Sequence, residues 1–331
     1  MIINRTNKTA LIEKDKSFNR KGLIFLNFDN ITSKLLKGYE DWEPIAISNN
    51  AELLILKSQG IIHRGTNKTE LIILNIKKDE IIFSTKDFLV FDSIFDKGND
   101  RVLLDVYNKK LFSLDLKTFV KTELPKKNLR IFKGTFNNFE NMFYVPSETK
   151  KKCIFRFSFD TGVTDEILVD VIGKINKIKF FSKDKIFIIL SSDNILYSFS
   201  KNLKIKNWQL DFKELDDKPS NISYKIFSSE SQDLIYLSAP STIKNNWGVD
   251  YCVDLEKGII LNYINSQQGR GRIAEHFFGN KVLLHSGKIM DMTSGKIEES
   301  KEIKLLLTMV IVAQGSKKPE VSKQKRYFKG F

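Results

Sequence analysis

The chain has 331 residues, and its 54 Lys and Arg against 40 Asp and Glu give a formal net charge of +14. Hydrophobic residues make up 41% of the sequence, which excludes a chain too polar to bury a core, and two cysteines exclude a disulfide scaffold. The apolar run 305–313 is well short of the ~18 residues that a membrane-spanning helix needs, and it favours a buried strand. We therefore expect a soluble globular protein.

The N-terminal region predicts no secretory signal, because Arg5, Lys8 and Glu13 interrupt every apolar run there. Cys153 and Cys252 lie in apolar, strand-like surroundings. Free cysteines are among the most buried residue types, so we predict two buried thiols in a reducing compartment. These features favour a cytoplasmic location.

A short pattern recurs along the chain, in which an apolar strand-like run ends in a small polar residue and a turn. The polar residues of the seven copies are Asn27, Asn75, Asp115, Ser158, Ser200, Asp254 and Asp291. Their spacings average 44 residues. A period of about 40–50 residues with strands throughout is typical of propeller blades.

Each copy is the third strand of a predicted four-stranded unit. The expected second strands are residues 9–15, 52–56, 101–106, 141–145, 185–190, 233–238 and 281–285. The expected first strands are residues 44–48, 88–95, 129–136, 177–181, 224–228 and 272–278. A more polar fourth strand follows each copy. The sequence thus predicts an all-β, seven-bladed β-propeller of four-stranded antiparallel blades over residues 1–314.

The recurring polar residue lies where the third strand turns into the fourth. An Asp or Asn side chain there accepts a bond from the backbone N–H two residues on and so stabilises the turn. The hairpin then needs a residue with positive φ. We assign that place to Gly162, Gly258 and Gly295, and to Asn30, Asp79 and Asn202 in other copies.

The units resemble the repeats of seven-bladed β-propellers, the broad group of WD40-like and quinoprotein-like blades. The most similar segments are LDLKTF (114–119), FDTG (159–162), DLEKG (254–258) and MTSG (292–295). No copy has the Trp-Asp or Gly-His of WD40 repeats or the closing Trp of quinoprotein repeats. The resemblance, over about residues 9–303, implies a fold and partner binding on its flat faces, and no quinone cofactor.

Ring closure is expected to involve the C-terminal part of the chain. The first blade begins at its second strand, so residues 304–313 are predicted to supply the missing first strand and close the ring. Residues 1–4 are the alternative. The remaining segment, 315–331, has six basic residues against Glu320, and we predict a flexible basic tail.

The sequence contains no recognisable catalytic motif. Its three histidines, His63, His276 and His285, have no metal-ligand spacing, and no G-x-S-x-G, Walker loop or C-x-x-C is present. We therefore predict no catalytic residue, metal or cofactor. A hydrolase or lyase with its site at the central channel stays open as an alternative, because side chains can converge there from distant blades.

Basic residues concentrate in loops of one predicted face, the top, where second strands lead to third strands and blades connect. The long loops 57–70 and 239–250 belong to the same face, and long loops often carry function. Trp42 is expected to have a structural role. The candidate partner-binding residues are Arg64, Lys68, Lys109, Lys110, Lys126, Lys127, Lys150, Lys151, Lys152, Trp247, Arg270 and Arg272.

These features predict a monomeric, non-catalytic interaction module whose basic top face meets a protein partner. An anion-binding propeller that acts on nucleic acid or a charged surface is the alternative. Lys outnumbers Arg, which argues against dense base readout. The basic face is equally consistent with a Lys-rich composition that has no binding role.

Overall fold

The structure is a computed structural model. It describes residues 2–4, 9–13, 23–27, 32–39, 42–58, 70–86, 89–106, 110–127, 129–214, 225–228, 233–239, 249–265, 273–276, 281–284, 289–291 and 293–298. In this part of the chain, 28 strands form seven four-stranded antiparallel sheets, each made of strands consecutive in sequence. The all-β prediction and the four-stranded antiparallel units are confirmed.

The first three sheets cover the N-terminal part of the chain. Sheet 1 has strands β1 (Ile2–Asn4), β2 (Thr9–Glu13), β3 (Leu23–Asn27) and β4 (Thr32–Leu36). Sheet 2 has β5 (Trp42–Ile47), β6 (Leu53–Ser58), β7 (Leu71–Asn75) and β8 (Glu80–Thr85). Sheet 3 has β9 (Val90–Phe95), β10 (Arg101–Val106), β11 (Lys110–Asp115) and β12 (Lys121–Lys127).

The remaining sheets repeat this plan. Sheet 4 has β13 (Thr135–Asn137), β14 (Met142–Pro146), β15 (Cys153–Ser158) and β16 (Thr164–Leu168). Sheet 5 has β17 (Ile175–Phe181), β18 (Ile186–Ser191), β19 (Ile195–Phe199) and β20 (Lys206–Asp211). Sheet 6 has β21 (Lys225–Ser228), β22 (Leu234–Ala239), β23 (Val249–Asp254) and β24 (Ile260–Asn265). Sheet 7 has β25 (Ile273–His276), β26 (Lys281–Leu284), β27 (Ile289–Asp291) and β28 (Ile297–Glu298).

The core lies between neighbouring sheets. Ile188 and Leu196 of sheet 5 pack with Ile235 and Val253 of sheet 6 in one buried cluster. Successive side chains of a strand point to opposite faces, so a sheet covered on both faces takes apolar residues at consecutive positions. This explains the continuous apolar runs of the second and third strands, such as Ile186–Ser191.

Each sheet has two ends, which we call upper and lower. The upper end carries the loop between the second and third strands and the connection to the next sheet, and the lower end carries the two other turns. First strands of successive sheets contact one another, as β5 contacts β9 and β13 contacts β17. The first strands therefore gather on one side of the sheets.

The lower turns confirm the predicted role of the small polar residues. Asp254 Oδ1 accepts the backbone N–H groups of Glu256 at 3.0 Å and Lys257 at 2.8 Å. The carboxyl or amide oxygens of Asn75, Asp115 and Asp291 accept equivalent bonds. Gly162, Gly258, Gly295 and Asp79 have the predicted positive φ.

One turn assignment is wrong and another is untested. In sheet 5 the residue with positive φ is Leu203 and not Asn202, whose side-chain oxygen instead accepts the backbone N–H of Lys204. Asn30 lies outside the described residues. The Asn202 side chain thus stabilises the turn from the preceding position, and the positive φ falls on its apolar neighbour, Leu203.

The predicted place of the C-terminal strand is also wrong. Ile2–Asn4 pairs with Thr9–Glu13, so β1 occupies the first position of sheet 1, which is the alternative assignment. On its other side β2 pairs with β3, which leaves no free edge on β2 for residues 304–313. That segment and the predicted tail 315–331 lie outside the described residues.

The expected first strand 129–136 is correct only at its C-terminal end. Ile131–Lys133 forms a short 3-10 turn, and the strand β13 begins at Thr135. The backbone N–H of Ile131 donates to the carboxylate of Asp105, 3.2 Å away, so it is not used in a sheet. This apolar segment therefore belongs to the upper connection between sheets 3 and 4.

The helical content of the described residues is limited to short 3-10 turns, and none of it is long and apolar enough to cross a membrane.

Candidate functional site

The structure describes about half of the predicted partner-binding residues. Arg64, Lys68, Lys109, Trp247, Arg270 and Arg272 lie outside the described residues. Lys126 and Lys127 belong to β12, but their side chains are not described. The side chains that can be examined are those of Lys110, Lys150, Lys151 and Lys152. Trp42, expected to be structural, packs its ring edge-on against Tyr39, with centroids 6.5 Å apart.

Two of these four lysines are paired with carboxylates. Lys110 Nζ lies 2.9 Å from Glu123, on the neighbouring strand. Lys150 Nζ binds Glu166, and this hydrogen bond raises the pKa of Lys150. Both pairs are exposed, so each contributes little to the free energy of unfolding.

The other two lysines are exposed at the tip of the β14–β15 hairpin. Among the described residues neither Lys151 nor Lys152 has an ion-pair partner. Their backbone carbonyls accept the N–H groups of Ile175 at 3.0 Å and Val169 at 2.9 Å. The hairpin is therefore fixed to the connection between sheets 4 and 5, while its two ammonium groups face solvent.

Three upper segments meet around this hairpin. We call them together the upper patch, and they comprise residues 129–134, 147–152 and 168–175. Glu148 lies at their junction. Its side chain is 2.9 Å from Lys133 Nζ, and its backbone carbonyl accepts a bond from Lys174 Nζ at 2.7 Å. One hairpin residue thereby links the two inter-sheet connections.

A buried carboxylate holds an arginine over an aromatic ring at one side of the patch. Asp105 is fully buried on β10, and its Oδ1 accepts a bond from Arg130 Nη1 at 3.0 Å. The guanidinium lies 5.1 Å from the centroid of the Phe91 ring. Burial raises the pKa of Asp105, while the Arg130 charge and the Ile131 N–H oppose that rise. The pair fixes both the 129–134 segment and the position of Arg130.

A second cation in the same segment is likewise held beside an aromatic ring by a carboxylate. Glu148 holds Lys133, whose Nζ lies 5.7 Å from the centroid of the Phe132 ring. The Phe132 side chain is 60% exposed. Two aromatic rings, Phe91 and Phe132, are thus presented at the surface, each beside a cation that a carboxylate already neutralises.

The upper patch is amphipathic. Its exposed apolar side chains are Phe132, Leu168 and Ile172, with Phe91 at its border. Its basic side chains are Arg130, Lys133, Lys150, Lys151, Lys152 and Lys174. Exposed aromatic rings and arginine are enriched at interaction sites, and the patch has both.

A second carboxylate beside the patch has an unusual environment. Asp92 on β9 lies opposite Asp105 on β10 in the strand register. Burial raises the pKa of Asp92 to about 6, and the Asp105 charge adds to the rise, while the backbone N–H of Ser93 and the charge of Lys57 lower it. Asp92 can therefore change charge close to neutral pH.

Sequence reasoning missed most of the patch. It selected Lys150, Lys151 and Lys152 but not Phe91, Arg130 or Phe132. The segment 129–136 has the apolar pattern of a strand, but the backbone N–H of Ile131 and the side chain of Arg130 bond the buried Asp105 and not a neighbouring strand. Arg130 and Lys133 could not be recognised as site residues from the sequence, because the carboxylates that bind them are 25 and 15 residues away.

No group of three or more His, Cys, Asp and Glu side chains arranged to hold a metal ion is found within the described part of the chain.

Comparisons with known proteins identify the fold. No protein-family model matches the chain, and no curated protein matches it. The β-propeller domain of Cps50 (Swd1) from Myceliophteria thermophila matches over 89% of this chain and 93% of its own length, with a TM-score of 0.56 and 10% identity. Hsv2 of Kluyveromyces lactis matches over 76% of this chain and 72% of its own, with a TM-score of 0.54 and 12% identity.

A third solved structure, the dihydro-heme d1 dehydrogenase NirN in complex with DHE, has a TM-score of 0.60 and 11% identity. The match covers 90% of this chain and 64% of the NirN chain. At such identities the likeness shows the fold alone. The chain is thus an all-β protein of four-stranded antiparallel sheets whose structural neighbours are β-propellers, and the resemblance to propeller repeats is confirmed.

Proposed function

We propose that the chain is a non-catalytic interaction propeller whose seven sheets are the blades of one closed ring. Support for the ring comes from the contacts between first strands of successive sheets, such as β1 with β5 and β21 with β25, and from the β-propeller neighbours. A ring of blades protects all but short sheet edges. The two broad ends of such a ring are then the surfaces open to partners.

We place the partner on the upper patch. The observation that carries this proposal is the exposure of Phe132 on a segment that the Lys133–Glu148 ion pair joins to the hairpin bearing Lys151 and Lys152. Fixed backbone lowers the entropic cost of binding. Aromatic side chains are enriched at protein–protein interfaces, and the lysines add a positive charge that complements a partner of opposite charge.

Affinity capture with charge-reversed variants tests this proposal. Lys151→Glu with Lys152→Glu moves the local charge by four units without breaking any ion pair among the described residues. The matched control is Lys201→Glu with Lys204→Glu, because both residues are exposed in the lower turn of sheet 5. We expect mass spectrometry to identify proteins that the wild type and the lower control retain and that the upper variant loses.

Equal recovery with all three proteins would contradict an upper binding surface. Loss with the lower variant alone would move the surface to the opposite end. Both variants are expected to melt like the wild type, since exposed charges contribute little to the free energy of unfolding.

A further inference from the structure

We infer that the partner segment bound by the upper patch is acidic and carries aromatic or large aliphatic side chains. This inference rests on the proposed function and adds the chemistry of the occupant. It follows from how charge and apolar surface are divided within the patch.

The part of the patch nearest the first strands is apolar and nearly neutral. Phe91 lies on β9 and Phe132 in the 3-10 turn before β13, and the cations beside them are paired with Asp105 and Glu148. Such internal pairs hold the cations in place but leave little net charge for a ligand. This part favours an aromatic or aliphatic side chain that packs against the two exposed rings.

The part around the β14–β15 hairpin is basic. The patch has six basic residues against Glu148 and Asp170, and two further carboxylates, Asp105 and Glu166, pair with its cations from outside, so the net charge is +2. Lys151 and Lys152 have no ion-pair partner among the described residues, and Lys174 donates to the backbone carbonyl of Glu148 and not to a carboxylate. Carboxylates of a bound segment would complement this net charge.

An acidic protein segment fits this division better than a nucleic acid does. Arginine is the side chain that binds phosphates in a bidentate manner, and Arg130, the one arginine of the patch, donates to the buried Asp105. The backbone of a nucleic acid would also leave Phe132, Leu168 and Ile172 without apolar contacts. A peptide with only acidic side chains would likewise leave these three side chains without apolar contacts.

Fluorescence anisotropy with synthetic peptides tests the inference. The probe is a labelled peptide in which Asp and Glu flank two Phe residues, and the reference peptide has Ser in place of both Phe. We expect the probe to bind the full chain, and the reference to bind about tenfold more weakly. Binding should weaken between about 0.1 M and about 1 M salt, where the Debye length falls from about 10 Å to about 3 Å.

Two matched pairs of variants locate the site. Phe132→Ala is compared with Phe139→Ala, because Phe139 is 58% exposed at the lower end of sheet 4 and has Lys185 Nζ 5.5 Å from its ring centroid. The upper double variant (Lys151→Glu and Lys152→Glu) is compared with the lower double variant (Lys201→Glu and Lys204→Glu). We expect each upper change to weaken probe binding about tenfold and each lower change to leave it unaltered.

Each other outcome overturns the inference. Equal affinity for probe and reference would show that the aromatic side chains contribute nothing. Tighter binding of a DNA oligonucleotide would assign the patch to phosphate, and self-association lost in Phe132→Ala would assign it to a second copy of the chain. If the probe fails to bind while affinity capture still depends on Lys151 and Lys152, the proposed function stands and the acidic, aromatic chemistry is wrong.

Discussion

At the scale of single residues, the most informative group is the carboxyl of Asp92. It faces Asp105 across two strands, and burial raises its pKa from 3.8 to about 6. In the unfolded chain the same group loses its proton near pH 4. Between these values folding takes up a proton, so this group lowers the free energy of unfolding as pH rises from about 4 to about 6.

The first prediction concerns Asp92→Asn, which keeps the oxygen that accepts the Ser93 N–H but cannot ionise. We expect the variant to match the wild type near pH 4 and to be more stable by about 3 kcal/mol above about pH 7, since a unit of pKa shift corresponds to about 1.4 kcal/mol. Urea unfolding at a series of pH values measures the difference. A difference that does not change with pH would contradict the assigned environment.

Asp115→Asn serves as a control, because the pH dependence of its effect on stability has the opposite sign. Hydrogen bonds from Thr118 lower the pKa of the Asp115 carboxyl, so its ionised form stabilises the fold. That stability is present above the unfolded pKa and is lost as pH falls through the lower folded value. We expect this variant to be less stable than the wild type at neutral pH, with the difference shrinking in acid.

The sequence predicted one of these two residue environments. Asp115 could be assigned because its partners, Lys117 and Thr118, are two and three residues away and belong to a repeated turn. The raised pKa of Asp92 could not be predicted, because it depends on the register of β9 against β10 and on a carboxylate 13 positions along the chain.

At the scale of elements, two lower turns with the same sequence motif pack differently against their surroundings. Gly162 and Gly258 both have positive φ and both close a turn between third and fourth strands. A Cβ at Gly162 would meet nothing within 4 Å. A Cβ at Gly258 would overlap the ring of Trp208, which donates a bond from Nε1 to the carbonyl of Leu255 at 2.9 Å.

The second prediction compares Gly162→Ala with Gly258→Ala. The first should cost about 1 kcal/mol of unfolding free energy, the usual penalty for an L-residue with left-handed backbone. The second should cost about 3 kcal/mol, because it also displaces the Trp208 side chain that joins sheets 5 and 6. Denaturant unfolding with tryptophan fluorescence measures both. Equal costs would show that Trp208 does not pack on this turn.

The sequence predicted the positive φ of both glycines but not the difference between them. The repeated motif reports on the local turn, whereas the contact with Trp208 joins residues 50 positions apart in sequence. In the same way, the strand pattern predicted the sheets well and failed at 131–133, where a tertiary bond to Asp105 overrides local preference.

At the scale of the whole molecule, the pairing of the N-terminal strand decides how sheet 1 is completed. Because Ile2–Asn4 is the first strand of sheet 1 and β1 also contacts β5, it covers an edge that would otherwise be exposed. The periodicity predicted four strands in every unit but left two candidates for this position. Hydrophobicity alone could not distinguish residues 1–4 from residues 304–313.

The third prediction therefore concerns removal of residues 1–8. We expect the shortened chain to melt at a lower temperature and to aggregate, since the edge of β2 and apolar surface of sheet 2 become exposed. Circular dichroism and light scattering during heating measure both effects. A chain that melts cooperatively at the original temperature without aggregation would show that β1 is dispensable.

The orientation of the molecule toward its partner is the central claim, and site-specific photocrosslinking tests it most directly. A photoreactive phenylalanine analogue is placed either at Phe132 in the upper patch or at Phe139 at the lower end, two rings of nearly equal exposure on either side of β13. We predict that irradiation yields a crosslinked protein adduct from position 132 and none from position 139. An adduct from position 139 alone, or equal adducts from both positions, would contradict the account.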